Sequence, residues 1–208
     1  GVDLIVYPDD HFSINVLIDY NSKILGNQYA ILDSIKDFEK DICNCRTFVF
    51  FHELEPLFKL GLIKGGDLDN AIVILEKEVD QTEIDRIAKL FNRPGISTHT
   101  AGILNNTELR YPNEPARHKL LDIMGDLALV GHPIKGKVVA TRPGHYANTR
   151  LARLMRQEMK KALSKRDIPQ YDPLLPPVMT VEDIKKKLPH RAPFLLVDKI
   201  IHLDETKV

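Results

Sequence analysis

Residues 117–127 read RHKLLDIMGDL and carry a polar stripe at helical spacing. His118 and Asp122 are four residues apart, so on a helix they lie one turn above the other on the same face. This spacing suits two ligands of one metal ion, although a polar face turned towards solvent has the same pattern. Asp126 follows one turn later, ~12 Å from His118 along the axis, and is better placed to orient a third group than to bind the same ion.

The sequence on either side of this stretch predicts an α/β fold. Pro115 suits the first turn of a helix, which we expect to continue to about Val130 and to end at Gly131. Apolar runs and alternating patterns predict strands at 12–20, 27–32, 46–51, 71–75 and 133–141, and a hairpin or bent strand at 103–111. Capping signals and amphipathic spacing predict further helices at 35–42, 53–59, 82–91 and 148–163. The expected architecture is an α+β two-layer sandwich, with a mixed sheet packed on helices and a small strand–helix–strand unit inserted at 47–64.

The composition argues against a nucleic-acid-binding protein and against a membrane protein. Lys+Arg and Asp+Glu are equal at 29 each, so no overall charge attracts nucleic acid or an anionic membrane. No apolar run approaches the ~20 residues of a membrane span, and no signal sequence opens the chain. Cys43 and Cys45 are separated by one residue and would point to opposite faces of a strand, which favours reduced, structural thiols. We therefore expect a cytoplasmic protein without a transmembrane segment.

The C-terminal part of the chain predicts a linker and an incomplete domain. Residues 164–178 contain four prolines and little periodicity, as in a semi-rigid linker. Residues 179–208 predict a short helix at 184–187 and a strand at 194–202, too little to bury a core alone. The absence of an initial Met and the unfinished strand at the end favour a fragment of a longer protein.

Three sequence blocks resemble one known enzyme family. They are residues 115–132, residues 144–148 (GHYAN), and residues 46–73 with RTF at 46–48 and GGDLDNAIV at 65–73. Together they resemble the zinc-dependent UDP-3-O-acyl-N-acetylglucosamine deacetylases of bacterial lipid A biosynthesis. The resemblance covers about residues 10–160 and implies that residues 1–163 form the second of that family's two domains.

The resemblance implies a zinc centre and a set of catalytic residues. His118 and Asp122 would be two of three zinc ligands, and an open water position would complete the metal site. His145 would stabilise the oxyanion and protonate the leaving amine, and Asp126 would keep that imidazole charged. Thr47 would offer its hydroxyl to the developing oxyanion, although in an apolar strand it is equally typical of a core residue.

The resemblance also implies contacts with a UDP-linked acylated glucosamine. Lys119 would point about 100° away from His118 and meet the sugar or phosphate, and Arg142 would bind the diphosphate. Gly144 would permit close backbone approach to a ligand beside His145. Phe48 would pack on the substrate and Phe12 on the uracil ring, although both would be core residues in most proteins. The insert at 47–64 resembles the family's acyl-chain passage, and its candidate lining residues are Leu54, Leu57 and Ile63.

The chain departs from the family in three respects. Arg142 stands where a lysine is usual, and residues 78–101 are longer than the usual connection. The third zinc ligand, a histidine, and the general base, a glutamate, belong to the family's first domain, which this chain lacks. The chain alone is therefore predicted to be inactive, with half of an active site.

Residues 188–199, LPHRAPFLLVDK, resemble the opening of the hot-dog 3-hydroxyacyl-[acyl-carrier-protein] dehydratases. A bifunctional parent is then expected, whose dehydratase half would act on acyl-carrier protein and could mediate homo-oligomerisation. Two alternatives remain open: a non-catalytic module that binds a UDP-sugar or acts as a scaffold, and a parent that acts mainly as a dehydratase. The presence together of His118, Asp122, Asp126, Thr47 and His145 argues against a decayed deacetylase.

Overall fold

The computed structural model describes residues 1–65, 70–93, 95–96, 100–164 and 172–203. The chain divides into two compact units, Gly1–Met159 and Lys160–Val208. The strands are β1 (Asp3–Tyr7), β2 (Phe12–Asp19), β3 (Asn27–Leu32), β4 (Thr47–Phe50), β5 (Ala71–Leu75), β6 (Gly102–Ile103), β7 (Gly136–Thr141), β8 (Met179–Thr180) and β9 (Lys199–Ile200). The helices are α1 (Phe38–Asp41), α2 (Phe51–Lys59), α3 (Gln81–Leu90), α4 (Glu114–Leu127), α5 (His145–Ser164) and α6 (Val181–Lys187).

A four-stranded mixed sheet forms one layer of the first unit. Its strand order is β1-β7-β2-β3, and β7 lies parallel to β2 while the other neighbours are antiparallel. Residues that alternate along β2 and β7 turn the same face inwards, with Ile14, Val16 and Val138 nearly inaccessible to solvent. The mixed sheet confirms the predicted fold class.

Helix α4 packs on the inner face of this sheet. Its fully buried side chains Ala116, Leu120 and Ile123 recur at spacings of four and three residues, as an amphipathic helix requires. Because this stripe faces the core, His118 and Asp122 lie on the flank of the helix and are only partly buried. The apolar spacing therefore determines which way the polar stripe points.

A second, smaller sheet has the order β4-β5-β6, with β5 in the centre as predicted. Strand β4 runs parallel to β5, and β6 pairs antiparallel with it. Helices α2 and α3 contribute side chains to its apolar cluster, which contains Phe51, Leu54, Val73, Leu75, Ile84, Ile87 and Leu104. The first unit thus holds two sheets, each packed against helices.

Three secondary-structure predictions are wrong, and one strand has no counterpart among the predictions. No hairpin forms over 103–111, because a single 3-10 turn (Leu104–Asn106) follows β6 and residues 107–111 are irregular. Residues 62–65 form no strand, so the strand that follows α2 is β5. In the second unit only Lys199–Ile200 of the predicted strand 194–202 pairs, with β8. Strand β1 was not predicted; it is an edge strand whose partner β7 lies far away in the sequence.

The second unit contains the β8–β9 pair and α6. Thr180 begins α6 with a reciprocal cap, in which its hydroxyl accepts from the backbone N of Asp183 and its own backbone N donates to that carboxylate. The predicted linker falls partly on residues 165–171, outside the described residues, and the hot-dog domain stays a prediction. No helix in the described part of the chain is long and apolar enough to cross a membrane.

Candidate active site

Helix α4 brings His118 and Asp122 together on its partly buried flank. His118 Nε2 lies 3.4 Å from Asp122 Oδ1. On the other side of the ring, His118 Nδ1 is 3.2 Å from the backbone carbonyl oxygen of Cys45. Because a carbonyl oxygen only accepts, Nδ1 is the nitrogen that donates to Cys45, and Nε2 is the nitrogen that faces Asp122.

This geometry fits two ligands of a tetrahedral metal ion. With metal–ligand bonds of about 2.0–2.1 Å, neighbouring ligand atoms are about 3.3 Å apart, close to the separation of His118 Nε2 and Asp122 Oδ1. Among the described residues, however, no group of three His, Cys, Asp or Glu side chains is arranged to hold a metal. The pair could therefore hold a metal only with a further ligand from elsewhere.

The sequence predicts that Lys119 points away from His118, but in the structure its side chain contacts Asp122. Its ammonium Nζ lies 2.8 Å from Asp122 Oδ2, and it also lies 5.5 Å from the ring centroid of Phe48. Residues three apart on a helix are neighbours, and the flexible lysine side chain folds back over Asp122. The two oxygens of Asp122 thus face different partners, His118 and Lys119.

His145 approaches the same carboxylate from the start of α5. Its Nδ1 lies 2.9 Å from Asp126 Oδ2, and its Nε2 lies 3.9 Å from Asp122 Oδ2. Asn148, which is fully buried, donates from its amide Nδ2 to the same oxygen of Asp126. Asp126 therefore holds the imidazole at Nδ1 and leaves Nε2 facing Asp122, while the His145 side chain remains 67% exposed.

Thr47, the first residue of β4, lies between two pockets. It lines a pocket of about 490 Å³ together with Cys45 and His118. It also lines a cavity of about 400 Å³ in which Phe48, Leu54, Leu57 and Ile63 come together. This volume and the largely apolar lining are typical of small-ligand sites. The structure thus gathers the residues expected of the acyl passage around one cavity.

Phe12, Arg142 and Gly144 lie outside that cavity. Phe12 lines a separate pocket of about 340 Å³ with Met124 and His132, at the C-terminal end of α4. Arg142 adopts a left-handed backbone conformation (φ 51°) and forms an ion pair with Asp19. The Gly144 carbonyl accepts from the backbone N of Asn148, and a Cβ on Gly144 would meet no atom within 4 Å. Close approach of a ligand at Gly144 remains a prediction.

A buried ion pair joins the start of β4 to the start of α4. Glu114 is fully buried and accepts from the backbone N and guanidinium of Arg46 and from the backbone N of Arg110. Burial alone would raise the pKa of Glu114, but the hydrogen bonds from Arg46 and Arg110 outweigh it and lower that pKa. This pair connects the segment that carries Thr47 to the helix that carries His118.

Sequence reasoning missed three neighbours of the site. Asn148 lies three residues after His145 on one helix, so helical spacing could have identified it. Tyr20 packs edge-on against Phe48 with ring centroids 5.4 Å apart, and its pKa is raised, mainly by burial. The contribution of Cys45 is a backbone carbonyl, which no side-chain pattern reveals.

Comparison with known proteins gives consistent matches. The family model described as LpxC, UDP-3-O-acyl N-acetylglycosamine deacetylase, matches residues 3–93 and 92–157. A Bacteroides thetaiotaomicron protein named "Bifunctional enzyme LpxC/FabZ" is 50% identical over 98% of this chain and 44% of its own length. A Porphyromonas gingivalis protein of the same name is 48% identical over 96% of this chain and 43% of its own length. A Chlamydia felis UDP-3-O-acyl-N-acetylglucosamine deacetylase is 35% identical over 76% of this chain and 48% of its own length. The chain spans less than half the length of these relatives.

Proposed function

The chain belongs to the UDP-3-O-acyl N-acetylglycosamine deacetylase family, and from this premise we propose that it supplies half of the active site of a zinc amidohydrolase. The reaction would hydrolyse the acetamide of UDP-3-O-(3-hydroxyacyl)-N-acetylglucosamine and release acetate, in cytoplasmic lipid A biosynthesis. The observation that carries the proposal is the placement of Asp122 between the Nε2 atoms of His118 and His145.

His118 and Asp122 are the residues that would hold the zinc ion. When bound, zinc would supply a Lewis acid beside the substrate carbonyl and lower the pKa of a water molecule. The Cys45 carbonyl contacts Nδ1 of His118, so Nε2 is the ring atom that would bind the zinc ion. Lys119 donates a hydrogen bond to the second oxygen of Asp122. A third histidine ligand and a glutamate general base would come from a preceding domain, as the family resemblance implies.

His145 would supply the proton of the reaction. The new C–O bond forms as the water oxygen adds to the acetamide carbonyl, and the C–N bond then breaks as the amine leaves. An imidazolium whose Nδ1 donates to Asp126 carries its second proton on Nε2, where it can stabilise the oxyanion and then protonate the amine. The Thr47 hydroxyl would donate to the same oxyanion.

The remaining residues would bind the substrate. Phe48, Leu54, Leu57 and Ile63 would line the acyl passage, since they surround one cavity that starts at Thr47. Phe12 would stack on the uracil ring, and Lys119 and Arg142 would face the sugar and diphosphate. Arg142 would exchange or share its ion pair with Asp19 when the diphosphate binds.

We further propose a bifunctional parent with the domain limits 1–163, 164–178 and 179–208. The names of the Bacteroides and Porphyromonas relatives support a fusion with a dehydratase. Residues 179–208 would then begin a hot-dog dehydratase domain that acts on acyl-carrier protein and associates into homo-oligomers.

Acetate release by the full-length protein tests the deacetylase directly. We expect stoichiometric acetate and free amine from UDP-3-O-acyl-N-acetylglucosamine, and loss of turnover after chelation with restoration by zinc. No acetate from zinc-loaded protein would contradict the proposal.

A non-catalytic UDP-sugar-binding module is the second candidate for the chain by itself. It is favoured by the observation that no group of three His, Cys, Asp or Glu side chains among the described residues is arranged to hold a metal ion. Saturable binding of a UDP-sugar by both the chain and the full-length protein, without turnover by either, would support this candidate. Turnover by the full-length protein would exclude it for the parent.

A further inference from the structure

Asn148 is a polar residue on the buried face of α5. Its side chain is fully inaccessible to solvent, and so, almost, is that of Ala152 one turn later. Residues four apart share one face of a helix, and Ala152 belongs to the apolar cluster that contains Leu120 of α4. Leu151 of the same helix packs against this cluster as well. Helix α5 therefore places an amide where its neighbours supply apolar side chains.

Only one end of this amide has a hydrogen-bond partner in the described part of the chain. Asn148 Nδ2 donates to Asp126 Oδ2 at 2.9 Å, whereas Asn148 Oδ1 is buried without a donor. A buried polar atom without a partner destabilises a fold, because it has given up its hydrogen bond to water. Packing alone therefore does not explain an amide at this position, and the contact with Asp126 is what the residue contributes.

The oxygen that accepts from Asn148 also faces the candidate acid. His145 Nδ1 lies 2.9 Å from Asp126 Oδ2, so two donors converge on one carboxylate oxygen. The His145 side chain is 67% exposed, whereas that of Asp126 is 15% exposed. An exposed side chain keeps rotamer freedom that packing does not remove, so the direction of the imidazole depends on the position of the carboxylate.

The first turn of α5 carries both donors. Residues three apart on a helix are neighbours, and the backbone N of Asn148 donates to the Gly144 carbonyl at 3.0 Å. Asn148 lies on the buried side of this turn and His145 on its exposed side. Asp126 is therefore held by one donor that the core fixes, and it in turn holds one that the core does not fix.

We propose that Asn148 is a positioning residue, which holds the Asp126 carboxylate so that His145 Nε2 faces Asp122. This inference rests on the proposed function, in which His145 supplies the proton. His145 Nε2 lies 3.9 Å from Asp122 Oδ2, and a misplacement of about 1 Å in a reacting group can cost about a hundredfold in rate. Asn148 does not contact the substrate, since its side chain is fully buried. It acts through Asp126.

The test measures acetate release by the full-length protein carrying Asn148→Ala or Asn148→Thr. Threonine is similar in size to asparagine, but on a helix its hydroxyl bonds back to the preceding turn, as Thr149 Oγ1 does to the His145 carbonyl at 2.6 Å. Both variants therefore lack the donor to Asp126, and Asn148→Thr fills the space that alanine would leave empty. We expect kcat to fall by about 10–100-fold in both, with KM and zinc content unchanged.

A double variant shows whether Asn148 acts through Asp126. Because the two residues form one unit, Asp126→Ala with Asn148→Ala should be no slower than Asp126→Ala alone. Leu151→Ala is the matched control for a loosened helix, since Leu151 packs on the same core but has no group that could donate to Asp126. It should lower the free energy of unfolding and leave kcat unchanged.

Unchanged kcat in both Asn148 variants, multiplied losses in the double variant, or an equal fall in Leu151→Ala would overturn the role of Asn148. Absence of turnover in the wild type would instead contradict the proposed deacetylase. Crystal structures of the full-length Asn148 variants give a readout that does not depend on turnover. Loss of the His145–Asp126 contact, or several orientations of the His145 ring, supports the proposal, and a ring that stays in place contradicts it.

Discussion

At the scale of single residues, His145 and His118 share one carboxylate but are held differently. His118 Nδ1 donates to a backbone carbonyl, whereas His145 Nδ1 donates to the Asp126 carboxylate. These contacts leave His118 Nε2 3.4 Å from Asp122 Oδ1 and His145 Nε2 3.9 Å from Asp122 Oδ2. The two histidines are therefore suited to different work, one to a metal and the other to a proton.

Replacement of His145 by alanine separates these two roles. We expect kcat to fall by about 10²–10⁴-fold in the full-length protein, because a general acid acts in the transition state. Zinc content should be unchanged, since His145 is not assigned as a ligand. Tyr146→Ala is the control, because the neighbouring side chain is 82% exposed. Loss of zinc in His145→Ala would contradict this assignment.

The reactivity of the two cysteines reports on the loop that orients His118. Burial, with a further contribution from Glu114, raises the pKa of Cys45 to about 11, whereas Cys43 is exposed. At pH 8 iodoacetamide should modify Cys43, and Cys43→Ser should abolish labelling within residues 1–208 of the folded protein while denaturant exposes Cys45. Equal rates of labelling at both cysteines would show that the loop is not packed as described.

At the scale of elements, the Arg46–Glu114 pair holds β4 against α4. Glu114→Ala would leave the Arg46 guanidinium largely buried without its partner, at a cost of about 3–5 kcal/mol in the free energy of unfolding. Chemical denaturation of the full-length protein, followed by circular dichroism, measures this loss. Glu55→Ala removes a partly exposed carboxylate that also has two cationic partners, and it should cost much less. Equal losses would contradict a special role for Glu114.

Elements with local signals could be predicted from the sequence. Pro115, the spacing of Leu120 and Ile123, and Gly131 define α4, which passes into a 3-10 turn (Ala128–Val130) before Gly131 adopts φ 82°. Strand β1 could not be predicted, because an edge strand depends on a partner that is distant in the sequence. In place of the hairpin predicted at 103–111, a 3-10 turn (Leu104–Asn106) forms in which Asn105 adopts a left-handed conformation with φ 59°.

Some contacts of the candidate site could likewise be predicted from the sequence, and others could not. The His118–Asp122 contact follows from helical periodicity, and the family resemblance predicts the Asp126–His145 pair, which the structure contains. The direction of Lys119 and the Cys45 carbonyl depend on rotamers and on packing between elements, which spacing does not encode. The catalytic roles of all these residues remain predictions until they are measured.

At the scale of the whole molecule, the chain spans less than half the length of its relatives, and its described residues contain no group of three side chains arranged to hold a metal. The central claim is that His118 and Asp122 bind zinc in the full-length protein. The direct test measures zinc per chain and acetate release in the wild type, His118→Ala and Asp122→Ala, with His11→Ala as an exposed-histidine control. We expect one zinc per chain and turnover in the wild type and the control, and loss of both in the two ligand variants. Full zinc occupancy and turnover in His118→Ala and Asp122→Ala would contradict the account.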